Sequence, residues 1–164
     1  LSVDLEEFTE FAAARGAQLF KMAYLLAGDR HAAEDLTQTT LGKLYAAWSR
    51  VRRADNPVAY SRTVMVRTYV AGRKKTRLEQ PTSYLPELVN TDGDTSLRVT
   101  LFAALSELAA RDRAIVVLRY WEDHSVEDTA AILGISPGTV RTRSMRALTR
   151  VRKELGSDLS DLTS

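Results

Sequence analysis

The chain has no cysteine, which rules out disulfide frameworks, thiol nucleophiles and cysteine-based zinc sites. That fits a cytoplasmic protein. Histidine is almost as scarce: His31 and His124 lie far apart with no partner at metal-ligand spacing, so both are expected at the surface or at helix caps. No apolar run approaches the length needed to cross a bilayer. The N-terminus, LSVDLEEFTEF, is acidic where a signal peptide would be basic, so neither membrane insertion nor export is expected. The first residue is Leu rather than Met, so a processed or trimmed chain is the expectation. Also missing are a Gly-rich phosphate loop, a carboxylate cluster and a nucleophile motif. No catalytic residue, metal, cofactor or small-molecule substrate is therefore expected.

What remains is a composition suited to one compact domain or two small ones: 164 residues, 45% of them hydrophobic. The net charge is only +2, but it is unevenly placed. One basic run comprises Arg50, Arg52, Arg53, Arg62, Arg67, Arg73, Lys74, Lys75 and Arg77; a second comprises Arg141, Arg143, Arg146, Arg150, Arg152 and Lys153. An acidic segment separates them. Two basic surfaces point to polyanionic partners at two places.

The apolar periodicity is helical almost throughout. Leu5, Phe8, Ala12, Leu19, Met22, Ala23 and Leu26 form one stripe, which Gly28 stops. Asp29 is placed to cap a second helix, expected to run to about Val51, with Ala33, Leu36, Thr40, Leu44, Ala47 and Trp48 inward. Its opposite stripe is Asp35, Gln38, Thr39, Gly42, Tyr45 and Ser49. Asn56 and Pro57 read as the cap and first residue of a third helix that ends in basic residues. From 80 to 95 the periodicity stops among Pro81, Pro86, Asn90, Asp92, Gly93 and Asp94. Helical spacing resumes with Leu97, Leu101, Ala104, Leu105 and Leu108, then from Asp112 to Trp121. No alternating β-branched run is long enough for a sheet. The expected fold is all-α, with two small helical domains at 1–79 and 96–156, a flexible linker at 80–95 and a tail at 157–164.

Within the second domain, DTAAILGISPGTVRTRSMRALTRV carries the spacing of a helix-turn-helix. Such a pair needs a small residue where the helices cross, a Gly where the turn takes positive φ, and an aliphatic residue where the second helix packs back. Ala130, Gly134 and Val140 occupy those places. Ser136 can cap the second helix, with Pro137 at its first position. If Val140, Ser144, Leu148 and Val151 face inward, Thr139, Thr142, Arg146 and Lys153 face outward, flanked by Arg143 and Arg150. Short polar residues near a helix start with cations behind them suit a major groove, although a solvated basic face would look similar.

Two longer stretches resemble bacterial sigma factors. AEDLTQTTLGKLYAAW, from Ala33 to Trp48, is similar to their region 2 helix, and LAARDRAIVVLRYWEDHSVEDTAAILGISPGTVRTRSMRAL is similar to region 4. A pair of such regions with no region 3 between them resembles the extracytoplasmic-function, or group IV, sigma factors. NPVAYSRTVMVRTYV and ELAARDRAIVVLRYWED look most like the actinobacterial sigma-E-type subset. The chain departs from the commoner pattern at LSELAARDR, where many members carry a Leu-Pro pair.

The resemblance implies a promoter-specificity subunit that binds the β′ and β subunits of core RNA polymerase and promoter DNA. Asp35, Gln38 and Thr39 match the family's docking positions on the β′ coiled coil, and Gly42 would permit close approach. The loop from Arg52 and Arg53 to Asn56 would capture a base of the −10 element, with Tyr60, Arg62, Arg67, Arg73 and Lys74 holding the nearby strand. Ser136, Thr139, Arg141, Thr142, Arg143 and Arg146 would read the −35 element. Glu87, Asp92 and Asp94 would thread toward the polymerase cleft, or serve only in a flexible acidic tether. Because the sequence shows no sensor domain, an anti-sigma factor is the expected regulator. A stand-alone helix-turn-helix regulator is the alternative; it leaves the Asp35/Gln38 stripe without a role.

Overall fold

A computed structural model describes the backbone of residues 2–75 and 95–163, with side chains described for 2–72 and 100–156. Every secondary-structure element among the described residues is helical. The chain divides into two compact units, Leu1–Arg77 and Leu78–Ser164. The expected linker, with Glu87 and Asp92, lies outside the described residues apart from its last position, Thr95, which opens α5. Asp94 also lies outside them.

The first unit contains α1 (Val3–Ala27), α2 (Arg30–Ala46), α3 (Trp48–Arg53) and α4 (Pro57–Lys75). Local chemistry sets most of its boundaries. Ser2 Oγ accepts from the Leu5 N–H at 3.3 Å, and Gly28 closes α1 at φ 89°. The Asp29 carboxylate accepts from the Ala32 N–H at 2.8 Å, and Asn56 Oδ1 accepts from the Ala59 N–H at 3.1 Å. Leu19, Met22, Ala23 and Leu26 of α1 are buried, as are Ala33, Leu36, Thr40 and Leu44 of α2. Thr37 joins them, its hydroxyl donating to the Ala33 carbonyl at 2.8 Å.

The expectation that α2 runs to Val51 is wrong. It stops at Ala46, and Ala47, at φ −107° and ψ 21°, separates it from α3. Tertiary packing accounts for the break. Leu44, Trp48 and Val51 form one buried cluster, with Phe8, Phe11, Leu41, Tyr60 and Val64 packed against it. The Trp48 ring meets Phe8 edge-on at 5.6 Å and Phe11 at 5.4 Å. Burying Trp48 is worth more than one continuous helical hydrogen bond, because a buried aromatic removes a large apolar area from water.

The second unit contains α5 (Thr95–Ser106), α6 (Ala110–Val116), a π-helical turn (Val117–Trp121), α7 (Val126–Leu133) and α8 (Pro137–Thr163). The helix expected from Asp112 to Trp121 is thus α-helical only to Val116. Asp123 follows the π turn at φ 55°, and the His124 N–H donates to the Leu118 carbonyl at 2.9 Å. Ala104, Leu105, Leu108, Ala147 and Val151 make one cluster between α5 and α8. Ile115, Ala130 and Val140 make another, at the crossing of α6, α7 and α8.

Candidate functional site

In the first unit the α2 helix sorts its residues into two opposed faces. With Ala33, Leu36, Thr40 and Leu44 buried, Asp35, Gln38, Thr39, Gly42 and Tyr45 are all exposed. A Cβ added at Gly42 would meet nothing within 4 Å, so the glycine is not required by the unit's own packing. His31 lies one turn before Asp35, with Nε2 3.9 Å from Oδ2 and both side chains well exposed. On the neighbouring face, Lys43 Nζ donates to Thr68 Oγ1 at 3.0 Å and ties α2 to α4. Tyr45 contacts Phe8 at 5.1 Å between ring centroids, which gives this polar stripe an aromatic edge.

The residues assigned to the first basic surface differ in what they already engage. Arg52 is already engaged: Nη1 lies 2.9 Å from Asp4 and Nε 3.4 Å from Glu7, both on α1. Arg53 is exposed and makes no ion pair among the described residues. Asn56 uses its oxygen to cap α4 but keeps its amide donors available. Tyr60 is half-buried against the Trp48 cluster, so its ring partly belongs to the core. Arg62 is half-buried and Arg67 exposed, and each interacts within the chain. Arg73 and Lys74 lie in the last turn of α4, and their side chains lie outside the described residues.

The second unit forms the turn expected from its spacing. Gly134 sits at φ 67°, Ala130 and Val140 are buried, and the Thr139 N–H donates to Ser136 Oγ at 3.1 Å. Val140, Ser144 and Val151 face inward and Thr142, Arg146 and Lys153 are exposed, whereas Thr139, expected outward, and Leu148, expected inward, are both half-buried. The arginines differ in ways that a helical wheel does not reveal. Arg143 Nη1 lies 3.1 Å from Asp112 in a partly buried pair, Arg141 lies 3.4 Å from Glu127, and Arg150 lies 3.4 Å from Glu107. Arg146 has no ion-pair partner among the described residues. Those pairings join residues up to 43 positions apart, and no local signal announces them. His124 accepts through its backbone carbonyl from Arg119 Nη1 at 2.7 Å. No group of ligating side chains suits a metal ion among the described residues, and no helix among them is long and apolar enough to cross a membrane.

Comparison with known proteins agrees with this two-part organisation. Residues 12–78 match the model for sigma-70 region 2, and residues 98–151 match that for sigma-70 region 4. The RNA polymerase sigma-E factor of Streptomyces coelicolor is 40% identical over 152 residues, which is 91% of this chain and 86% of that protein. The ECF RNA polymerase sigma factor SigL of Mycobacterium tuberculosis is 30% identical over 154 residues, 85% of each chain. A solved structure of the sigma factor RpoE of Bartonella quintana, in complex with the anti-sigma factor NepR, superposes with a TM-score of 0.75 at 27% identity. The superposition covers 93% of this chain and 99% of that one. With both of its units matched in order and curated relatives aligned over most of their length, the chain belongs to the extracytoplasmic-function sigma factors of the sigma-70 family.

Proposed function

We propose that this chain binds core RNA polymerase through the outer face of α2 and directs initiation by contacting promoter DNA with both units. The observation that carries the reading is the α2 stripe. Asp35, Gln38, Thr39 and Gly42 are exposed together, on a helix whose opposite side is fully committed to the core. A polar helix face with a bare glycine at its centre suits a helical partner approaching closely. A stand-alone regulator would have no use for it.

On this reading the first unit opens and holds the −10 element. Arg53 and the Asn56 amide are the available groups at the α3–α4 loop, and Arg62, Arg67, Arg73 and Lys74 lie along α4. The second unit holds the −35 element through the outer face of α8. Each surface alone is a modest electrostatic contact, and joining both to one polymerase raises their combined occupancy. The chain needs no cofactor and no catalytic residue of its own, and it acts where the polymerase and DNA are, in the cytoplasm. The anti-sigma factor in complex with the Bartonella sigma factor supports regulation of this chain by a protein inhibitor, which on this reading would act by covering the polymerase-binding and DNA-binding faces.

Reconstituted transcription tests the proposal. Core polymerase with this chain should start RNA at a defined promoter, and the double substitution Asp35→Ala, Gln38→Ala should reduce both core binding and transcript yield. Unchanged binding and yield would mean that the docking face lies elsewhere.

A further inference from the structure

The outer face of α8 carries a side chain that packing does not explain. Met145 is 71% exposed, more than any other large hydrophobic residue described. At about 100° per residue it lies on the same side as Gly138, Thr142 and Thr149, opposite buried Val140, Ala147 and Val151. The charges around it specify the occupant. Arg141, Arg146 and Arg152 are exposed beside it, so a polyanion can approach this face and an apolar protein surface cannot do so without burying cations.

The threonine hydroxyls on this face have no proton left to donate outward. Thr142 Oγ1 donates to the Gly138 carbonyl at 3.0 Å, and Thr149 Oγ1 donates to the Met145 carbonyl at 2.8 Å. Nearer the helix start, Ser136 and Thr139 bond to each other through their hydroxyls at 2.8 Å. With the hydroxyl protons of Thr142 and Thr149 directed back along the helix, their oxygens can only accept, and the rest of the surface that they and Met145 offer outward is methyl and thioether. The major-groove floor has one apolar feature, the thymine 5-methyl group. An unbranched, polarizable thioether adapts to an irregular apolar contact better than a branched side chain does.

Resting on the proposed −35 role of α8, we infer that Met145, with the Thr142 methyl group, is a specificity-determining pair that reads thymine by its methyl group. Arg146 and the flanking cations hold the backbone and base edges around it. The thymine reader is thus apolar and does not depend on a threonine hydroxyl.

The test uses the full chain with core polymerase. Duplexes are selected from a pool randomised over the −35 region, then resynthesised with uracil replacing each thymine in turn, which removes only the methyl group. Replacing at least one thymine should weaken binding about fourfold, the value of one methyl group taken from water. Met145→Ala should abolish that sensitivity while the salt dependence of binding stays the same. Thr142→Val should retain the sensitivity and Thr142→Ser should reduce it, because the first keeps the methyl group and the second keeps the hydroxyl. Indifference to uracil at every position, or full sensitivity persisting in Met145→Ala, overturns the inference. A holoenzyme that selects no sequence at this region from the pool refutes the −35 role itself.

Discussion

Substituting Gly42 should move stability and partner binding in opposite directions. The residue lies in the body of α2, where glycine costs about 1 kcal/mol relative to alanine because it has more backbone freedom to lose. An added Cβ meets nothing within 4 Å, so no steric penalty offsets that gain in the free chain. Gly42→Ala should therefore stabilise the first unit, Leu1–Arg77, by about 1 kcal/mol. In a domain of that size this corresponds to a rise in Tm of about 4–8 °C. Circular dichroism melting of the free chain measures the first effect. Competition with a labelled wild-type chain for core polymerase measures the second, and there Gly42→Ala should bind more weakly and Gly42→Leu more weakly still. A higher Tm with unchanged competition for both variants would show that no partner backbone approaches Gly42. A lower Tm would show that the surroundings of Gly42 are not open.

Asn56 offers a way to separate capping from DNA contact. Asn56→Ala should cost about 1 kcal/mol of stability in urea unfolding, through the lost cap. Asn56→Asp should keep the cap and the stability but weaken promoter opening, measured by permanganate footprinting, because the amide donors are gone. Arg143→Ala should destabilise the second unit by about 1 kcal/mol at most, since its pair with Asp112 is still 37% and 28% solvent-exposed. A double-mutant cycle with Asp112→Ala should show that the two losses are not additive. Arg146→Ala, by contrast, should leave unfolding unchanged and lower the slope of log affinity against log salt by about 0.9 for a lost phosphate contact. An unaltered slope would remove Arg146 from the phosphate-binding set.

Where a few consecutive residues determine the geometry, the sequence predicts it well. Asp29, Asn56 with Pro57, and Ser136 with Pro137 all lie at helix starts, and Gly28 and Gly134 both take positive φ. The opposed faces of α2 and α8 follow largely from period, although Thr139 and Leu148 of α8 are both half-buried. The break at Ala47 does not, because no glycine or proline marks it; it depends on Trp48 reaching Phe8 and Phe11, which are distant in sequence. The π-helical turn at Val117–Trp121 is likewise unmarked. Spacing also treats every arginine on a basic face alike. Only tertiary structure separates Arg52, held by α1, and Arg143, held by α6, from Arg53 and Arg146, which remain available.

The break at Ala47 also limits how far a partner can grip. At about 1.5 Å per residue, the exposed stripe from Asp35 to Tyr45 is about 15 Å long, and beyond Ala46 the chain turns its next helix back to the Trp48 cluster. A companion helix laid along α2 therefore has room for roughly three turns of contact. A footprint that short is well below the area of a permanent subunit interface. On the proposed docking role, the α2 face by itself would be a hold that can be released, its length ended by the break before Trp48.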